Sequence, residues 1–280
     1  MIANVLFFIS QYFYVACIIV FIVGAVLGSF LNVVIYRYPV MLLHEYEKAE
    51  KSTPFNLFFP RSHCPHCKAI IPFYFNIPLI GFIALRGKCR NCHHGIALHY
   101  FVVEIMSALT TLFVFLHFSI SLQAVELLVF TYGLIVLSVI DIHHHFLPDT
   151  IIFLLLWLGM IVSTQHIFTD PTQAIFGVIV GYLFFWIIAK LYYLLRKQEG
   201  LGMGDCKMLA MIGAWVGVAS LLNVILIATT FALTMSIMLL LIKKIDVSKK
   251  IPFGPFLAIA GWVTVFYGSV MTSEMTQWLS

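Results

Sequence analysis

The sequence predicts an all-α, polytopic membrane fold with about eight transmembrane helices and a small cytoplasmic zinc-binding insert between the first and second. Three observations carry that prediction: the apolar composition, the placement of the basic residues and two cysteine pairs in a single polar stretch. Of 280 residues, 62% are hydrophobic and only 10% are charged. A soluble domain covers its water-facing surface with polar groups, and this chain has too few to do so. Spanning segments need about 20 apolar residues, because in hydrocarbon only helices and closed barrels satisfy their own backbone polar groups. Eight stretches qualify or nearly so: 12–34, 100–118, 124–141, 150–166, 173–195, 205–219, 221–242 and 254–272.

Charge orients these segments, since Lys and Arg in short loops and near helix ends remain on the cytoplasmic side. All sixteen Lys and Arg fall within 36–99, 190–207 and 243–253. The opposite side carries Glu126, Asp170 and Glu274 and no basic residue, so both termini are expected to face the periplasm. The net charge of +4 therefore reports topology, and its dispersed sources give no clustered face for nucleic acid. The amino-terminal stretch lacks the basic start and small-residue cleavage site of a secretory signal and reads as a retained helix. The expected organisation is a first helix over 1–35, a cytoplasmic domain over 36–99 and a seven-helix core over 100–280.

The 36–99 insert holds half of the Lys and Arg and four of the six cysteines. They read Cys64-Pro-His-Cys67 and Cys89-Arg-Asn-Cys92, two C-x-x-C pairs separated by twenty-one residues. That spacing suits two knuckles closing a tetrahedral all-sulfur site. In a reducing cytoplasm a structural zinc is favoured over disulfides. Four thiolates leave no open coordination position, so the metal folds the insert and does not catalyse. His63, His66, His93 and His94 are then surface residues, Cys17 is a packed side chain, and Cys206 lacks a partner base at fixed spacing.

Ionisable groups inside helices are costly in a bilayer and are functional candidates by default. Asp141 ends the third segment and Asp205 opens the sixth, in Gly202-Met-Gly-Asp-Cys-Lys207, and the topology puts both at one face. Two such carboxylates can act as a unit, one activating water while the other protonates a carbonyl, so the expected chemistry is peptide hydrolysis without a covalent intermediate. Gly202 and Gly204 free the backbone beside Asp205 for a tight turn and an extended substrate, and Lys207 supports that loop. Helix dipoles favour the anion on Asp205 and the proton on Asp141. Asp149 is expected as a first-turn carboxylate, and His143 to His145 as a solvated loop.

These residues stand within a longer pattern: Gly28-Ser-Phe-Leu-Asn-Val-Val-Ile-Tyr-Arg37, the cysteine pairs, Asn76-Ile-Pro78, Leu85-Arg-Gly-Lys-Cys89, Leu147-Pro-Asp149 after Asp141, Gly202 to Lys207, and Pro252-Phe-Gly-Pro-Phe256. Across nearly its whole length the chain resembles the type 4 prepilin peptidases, inner-membrane GxGD aspartyl proteases. The resemblance implies that prepilin and pseudopilin precursors of the type IV pilus and type II secretion systems are substrates. It implies cleavage of a short basic leader after a glycine and N-methylation of the new terminus with S-adenosylmethionine. The catalytic aspartates carry over to Asp141 and Asp205, and Glu104 falls in the region associated with the methyl donor. Two departures stand out. His143 replaces the second carboxylate of an Asp-x-Asp, and His99-Tyr-Phe101 replaces Arg-Tyr-Pro.

Two other classes compete. A cation-coupled transporter would hold its carboxylates near the bilayer midplane, usually in repeated halves. A membrane scaffold would recruit partners through the zinc insert and tolerate loss of either aspartate.

Overall fold

The computed structural model of the chain describes residues 11–46, 55–198, 200–242 and 251–279, with side chains described to residue 43 of the first stretch and to residue 268 of the last. Each of the eight apolar segments contains a helix, and no strand occurs among the described residues. We number the helices α1 (Phe13–Tyr46), α2 (Ile80–Ala84, within the insert), α3 (Leu98–Phe118), α4 (Leu122–His144), α5 (Asp149–Ser163), α6 (Pro171–Arg196), α7 (Met203–Val216), α8 (Leu221–Leu241) and α9 (Gly254–Leu279). Five of them, α1, α3, α4, α6 and α8, are long and apolar enough to cross a bilayer. Helices α5 and α7 are shorter, as is Gly254–Gly268, the stretch of α9 whose side chains are described. Apolar side chains such as Leu226, Leu233, Ile237 and Leu241 of α8 point outward, as lipid-facing residues do. The chain is a multi-pass membrane protein.

Several helices outrun their sequence boundaries. The first continues past residue 34, through Pro39, to Tyr46, because Leu31, Ile35 and Pro39 prolong one buried face. At 34 residues it is about 51 Å long, well beyond a hydrocarbon core of about 30 Å. Helix α4 runs three residues past Asp141. Its buried residues Leu127, Phe130, Leu134, Leu137 and Asp141 recur at alternating steps of three and four, a single stripe that turns Asp141 inward. The run His143 to His145 is exposed, but its first two residues are helical, and only His145, at φ 52°, ends the helix.

The chain divides into two compact units, residues 1–132 and 133–280. In the first, α1 packs on α3. Gly24 and Gly28 of α1, four residues apart, make the approach possible: a Cβ on Gly24 would lie 2.6 Å from Thr111 Oγ1, and one on Gly28 would lie 2.9 Å from the Cα of Glu104. Ser107 Oγ then donates to the Gly24 carbonyl at 2.7 Å. Such small-residue seams replace the hydrophobic drive that lipid removes.

In the second unit the organising element is α7. Every residue from Cys206 to Val216 except Lys207 is buried, so the helix has no lipid-facing side. Helices α5, α6 and α9 pack around it. Gly177 and Gly181 of α6 form another small-residue pair, Gly177 lying directly on the backbone of Gly213 and Gly181 on that of Leu209. On the α5 side, Trp215 Nε1 donates to the Leu155 carbonyl at 2.9 Å, and its ring fills the space left by Gly159. Gly213→Val would drive two backbones apart. It should destabilise the protein by about 1–3 kcal/mol, read as a lowered melting temperature in detergent; an unchanged melt would contradict this packing.

Candidate active site

Asp141 reaches the interior on the stripe of α4 and is 6% exposed. Its Oδ2 accepts the Gly254 amide at 2.9 Å. Gly254 begins α9, so the carboxylate meets the amino-terminal end of that helix as well as standing near the end of its own. The contact needs glycine: a Cβ at residue 254 would lie 2.7 Å from the same oxygen. This partner lies 113 residues away and belongs to the Pro252-Phe-Gly-Pro255 stretch, one of the motifs that carry the family resemblance.

Asp205 occupies the first turn of α7, where its amide donates to the Gly202 carbonyl at 3.1 Å. It lies close enough to Asp141 to feel that residue's charge. The aspartates are thus brought to one place at the ends of two helices, within one unit. Both stand at a helix amino terminus, so helix ends no longer distinguish an anionic from a protonated member.

The neighbouring glycines have separate roles. A Cβ on Gly204 would press on Leu147 at 3.1 Å, so this glycine seats the Leu147-Pro148-Asp149 connection. A Cβ on Gly202 would lie 3.3 Å from Asp205 Oδ2, so the absence of a side chain leaves that carboxylate room. Lys207 turns to Asp149, donating to Oδ1 at 2.8 Å and Oδ2 at 2.7 Å. The pair is half exposed and ties the first turns of α5 and α7 together, while α5 starts at Asp149 as expected. Cys206 is fully buried, with its Sγ directed at the Gly202 carbonyl.

In the other unit, the sulfurs of Cys64, Cys67, Cys89 and Cys92 all lie within 4.8 Å of one another. Cys64 and Cys92 are 3.8 Å apart and Cys67 and Cys89 are 4.0 Å apart. A regular tetrahedron with metal–sulfur bonds of about 2.3 Å has sulfur separations of about 3.8 Å, so the geometry fits a four-coordinate metal. All four are free thiols. Two hairpins present them in matching form. His63 bridges Ile70 and Lys88 bridges Gly95, and the left-handed residues Lys68 and His93 fall at equivalent places twenty-five residues apart. The Ala69 amide lowers the Cys67 pKa, and the amides of Cys92 and Asn91 lower that of Cys89 to about 6. The His94 amide favours the Cys92 thiolate too, but desolvation and the three neighbouring sulfurs push it up to about 11. Four crowded sulfurs therefore resist ionising together until a cation joins them. His66 and His94 stack on each other at 4.7 Å and are not among the cluster's ligands.

Glu104 is buried in α3, and its Oε2 accepts the Leu79 amide at 2.8 Å. Nearby, Asn32 Nδ2 donates to the Tyr100 carbonyl at 2.9 Å. Arg37 donates to the carbonyls of Asn56 (2.9 Å), Leu57 (3.2 Å) and Pro60 (2.6 Å), gathering the loop that enters the insert.

Comparison with known proteins follows the same division. Residues 22–118 match the bacterial peptidase A24 N-terminal domain, and residues 128–237 match the type IV leader peptidase family. A prepilin leader peptidase/N-methyltransferase of Stutzerimonas stutzeri is 40% identical over 274 residues, covering 94% of each chain. Proteins of the same name from Pseudomonas aeruginosa (38% identical, 94% of each chain) and Legionella pneumophila (35% identical, 90% of this chain and 92% of the relative) also match. No solved structure matches the chain. With both family models in order, and relatives of this identity over nearly the full length, the chain belongs to the type IV leader peptidase family.

Proposed function

We propose that the protein is a membrane aspartyl endopeptidase that removes the basic leader of type IV prepilins and pseudopilins after a glycine, and then N-methylates the new terminus using S-adenosylmethionine. One observation supports the hydrolytic half most directly: two inward-facing aspartates, from different helices of one unit, meet at helix ends. The family membership and the relatives' names favour this reading over a transporter. The basic residues orient the catalytic face to the cytoplasm of the inner membrane and both termini to the periplasm.

The mechanism follows from charge. Two adjacent carboxylates do not ionise equally, so Asp141 and Asp205 share one proton and titrate as a unit. The ionised member takes a proton from water, and the resulting hydroxyl adds to the scissile carbonyl carbon. The protonated member gives its proton to the carbonyl oxygen. Collapse of the tetrahedral intermediate breaks the C–N bond as the leaving amine takes the proton drawn from water, and the proton on the former carbonyl oxygen returns to the other carboxylate, restoring the pair. Gly254 holds Asp141 Oδ2, leaving Oδ1 as the oxygen that meets water. Gly202 leaves the approach to Asp205 open for an extended backbone, Gly204 seats Leu147 beside it, and the Lys207–Asp149 pair holds that corner. S-adenosylmethionine, when bound, supplies the methyl group for the second activity. The four cysteines hold a structural zinc that keeps the insert folded.

Three measurements test this. Asp141→Asn and Asp205→Asn should each slow cleavage of a prepilin on the order of a thousandfold, with folding retained; cleavage at the parent rate by either variant would end the peptidase assignment. Gly254→Ala should lower kcat on the order of tenfold to a hundredfold while leaving KM near the parent value, because it displaces Asp141 without touching substrate. An unaltered kcat would remove Gly254 from the machinery. Purified protein should contain about one zinc per chain, and Cys64→Ser with Cys67→Ser should lose it; intact, fully folded protein without metal would refute the site.

A further inference from the structure

A cleft of about 440 Å³ lies in the first unit between α1 and the insert. Phe30, Val33 and Arg37 form one wall, spaced by three and four residues on a single face of α1. The insert supplies the other wall, with Phe58, Arg61, Ile70 and Phe73 among its residues. The apolar span of α1 begins at Phe13, and no charged residue occurs before Arg37. At 1.5 Å per residue Arg37 stands about 36 Å along the axis from Phe13, past a hydrocarbon core of about 30 Å, whereas Phe30 stands about 26 Å along and within it. The cleft therefore runs lengthwise across the level where acyl chains give way to phosphates.

The lining calls for an anion. Arg37 is 7% exposed, and its hydrogen bonds go to three carbonyls, which carry no charge to offset its own. Neither ion pair among the described residues includes it. Arg61 adds a second cation, and no carboxylate lines the cleft. The imbalance extends through the insert: residues 51–103 hold six Lys and Arg and no Asp or Glu, so the cysteine cluster is their one source of negative charge. A basic leader peptide has the wrong sign for this cleft. Phe58, Ile70 and Phe73 line it too, yet they are exposed, Phe73 by 82%. Apolar surface left open beside cations is the mark of a membrane contact, because an anionic lipid answers both.

We propose that the cleft binds one anionic phospholipid of the cytoplasmic leaflet, its phosphate at Arg37 and Arg61 and its glycerol and upper acyl chains against the apolar lining. A guanidinium has five N–H donors, and Arg37 spends its printed bonds on three carbonyls, so donors remain for phosphate oxygens. Phe30 and Val33 meet the lipid below that level and Phe73 beside it. The lipid then fastens the insert to α1, two parts of the chain that otherwise enclose a gap. Neither enzymatic activity is needed for this binding.

The test uses the full-length protein in detergent, mixed with phosphatidylglycerol or with phosphatidylcholine of the same acyl chains, and native mass spectrometry to count retained lipid. The parent should hold one phosphatidylglycerol about tenfold more tightly than phosphatidylcholine, and Arg61→Glu should abolish that preference. Phe73→Ala should weaken phosphatidylglycerol about threefold or more, and both variants should melt like the parent in lipid-free detergent. Equal affinity of the parent for the two lipids, or parent-like binding in both variants, would overturn the assignment. Glycerol 3-phosphate, which has the charge but no acyl chain, should fail to displace the lipid at equal concentration; displacement would make this a soluble-anion site and overturn the lipid. Cross-linking in nanodiscs decides without any variant. Phosphatidylglycerol with a photoreactive headgroup should label residues 30–37 or 55–76 more than a phosphatidylcholine probe of the same design does. Equal labelling by the two probes, or enrichment confined elsewhere, would refute the site.

Discussion

Between Gly177 and Gly213 there is no space for a side chain, and most of the peptidase unit follows from that contact. Two backbones meeting this closely let α6 lie against a helix that α5 and α9 also cover. Once α7 is enclosed, a carboxylate in its middle would need an internal partner for its charge. At its first turn Asp205 keeps a polar opening and a helix dipole on its own axis. The position of the charged residue is thus a consequence of how tightly the rest of its helix is wrapped.

Much of this was legible in the residues alone. Apolar length located each major helix, and the C-x-x-C spacing foretold four sulfurs in one place. Asp141 and Asp205 stood out because carboxylates in such segments are rare. What escaped depended on contacts between residues distant in sequence. Gly254 donates to Asp141 across 113 positions, and Leu79 to Glu104 across 25, and local patterns do not encode such pairs. Lys207 read as a companion of Asp205 because they are neighbours, yet its length takes it to Asp149. Other features were visible but unread. Gly24 with Gly28, and Gly177 with Gly181, follow the small-residue spacing of packed membrane helices. The hairpin repeat of the insert shares little beyond its cysteines, so it emerged only as matching backbone geometry.

The insert and the helical core solve different stability problems. Residues 55–97 contain only short helical turns and two isolated bridges, with many exposed aromatic and aliphatic side chains. A segment of that size buries too little apolar surface to fold on hydrophobicity alone, which is why small domains turn to metals. The core has the opposite difficulty. Lipid removes the drive to bury apolar groups, and close backbone contact and internal hydrogen bonds such as Trp215 to Leu155 supply cohesion instead.

The fourteen residues of α7 span about 21 Å, shorter than a bilayer core of about 30 Å. Surrounded by protein, the helix is spared the mismatch that would tilt or pull a lipid-exposed segment of that length. Changes in acyl-chain length or cholesterol-like stiffening act on the outer helices, whose tilt absorbs them. The acidic centre is thereby insulated from the mechanical state of the surrounding membrane.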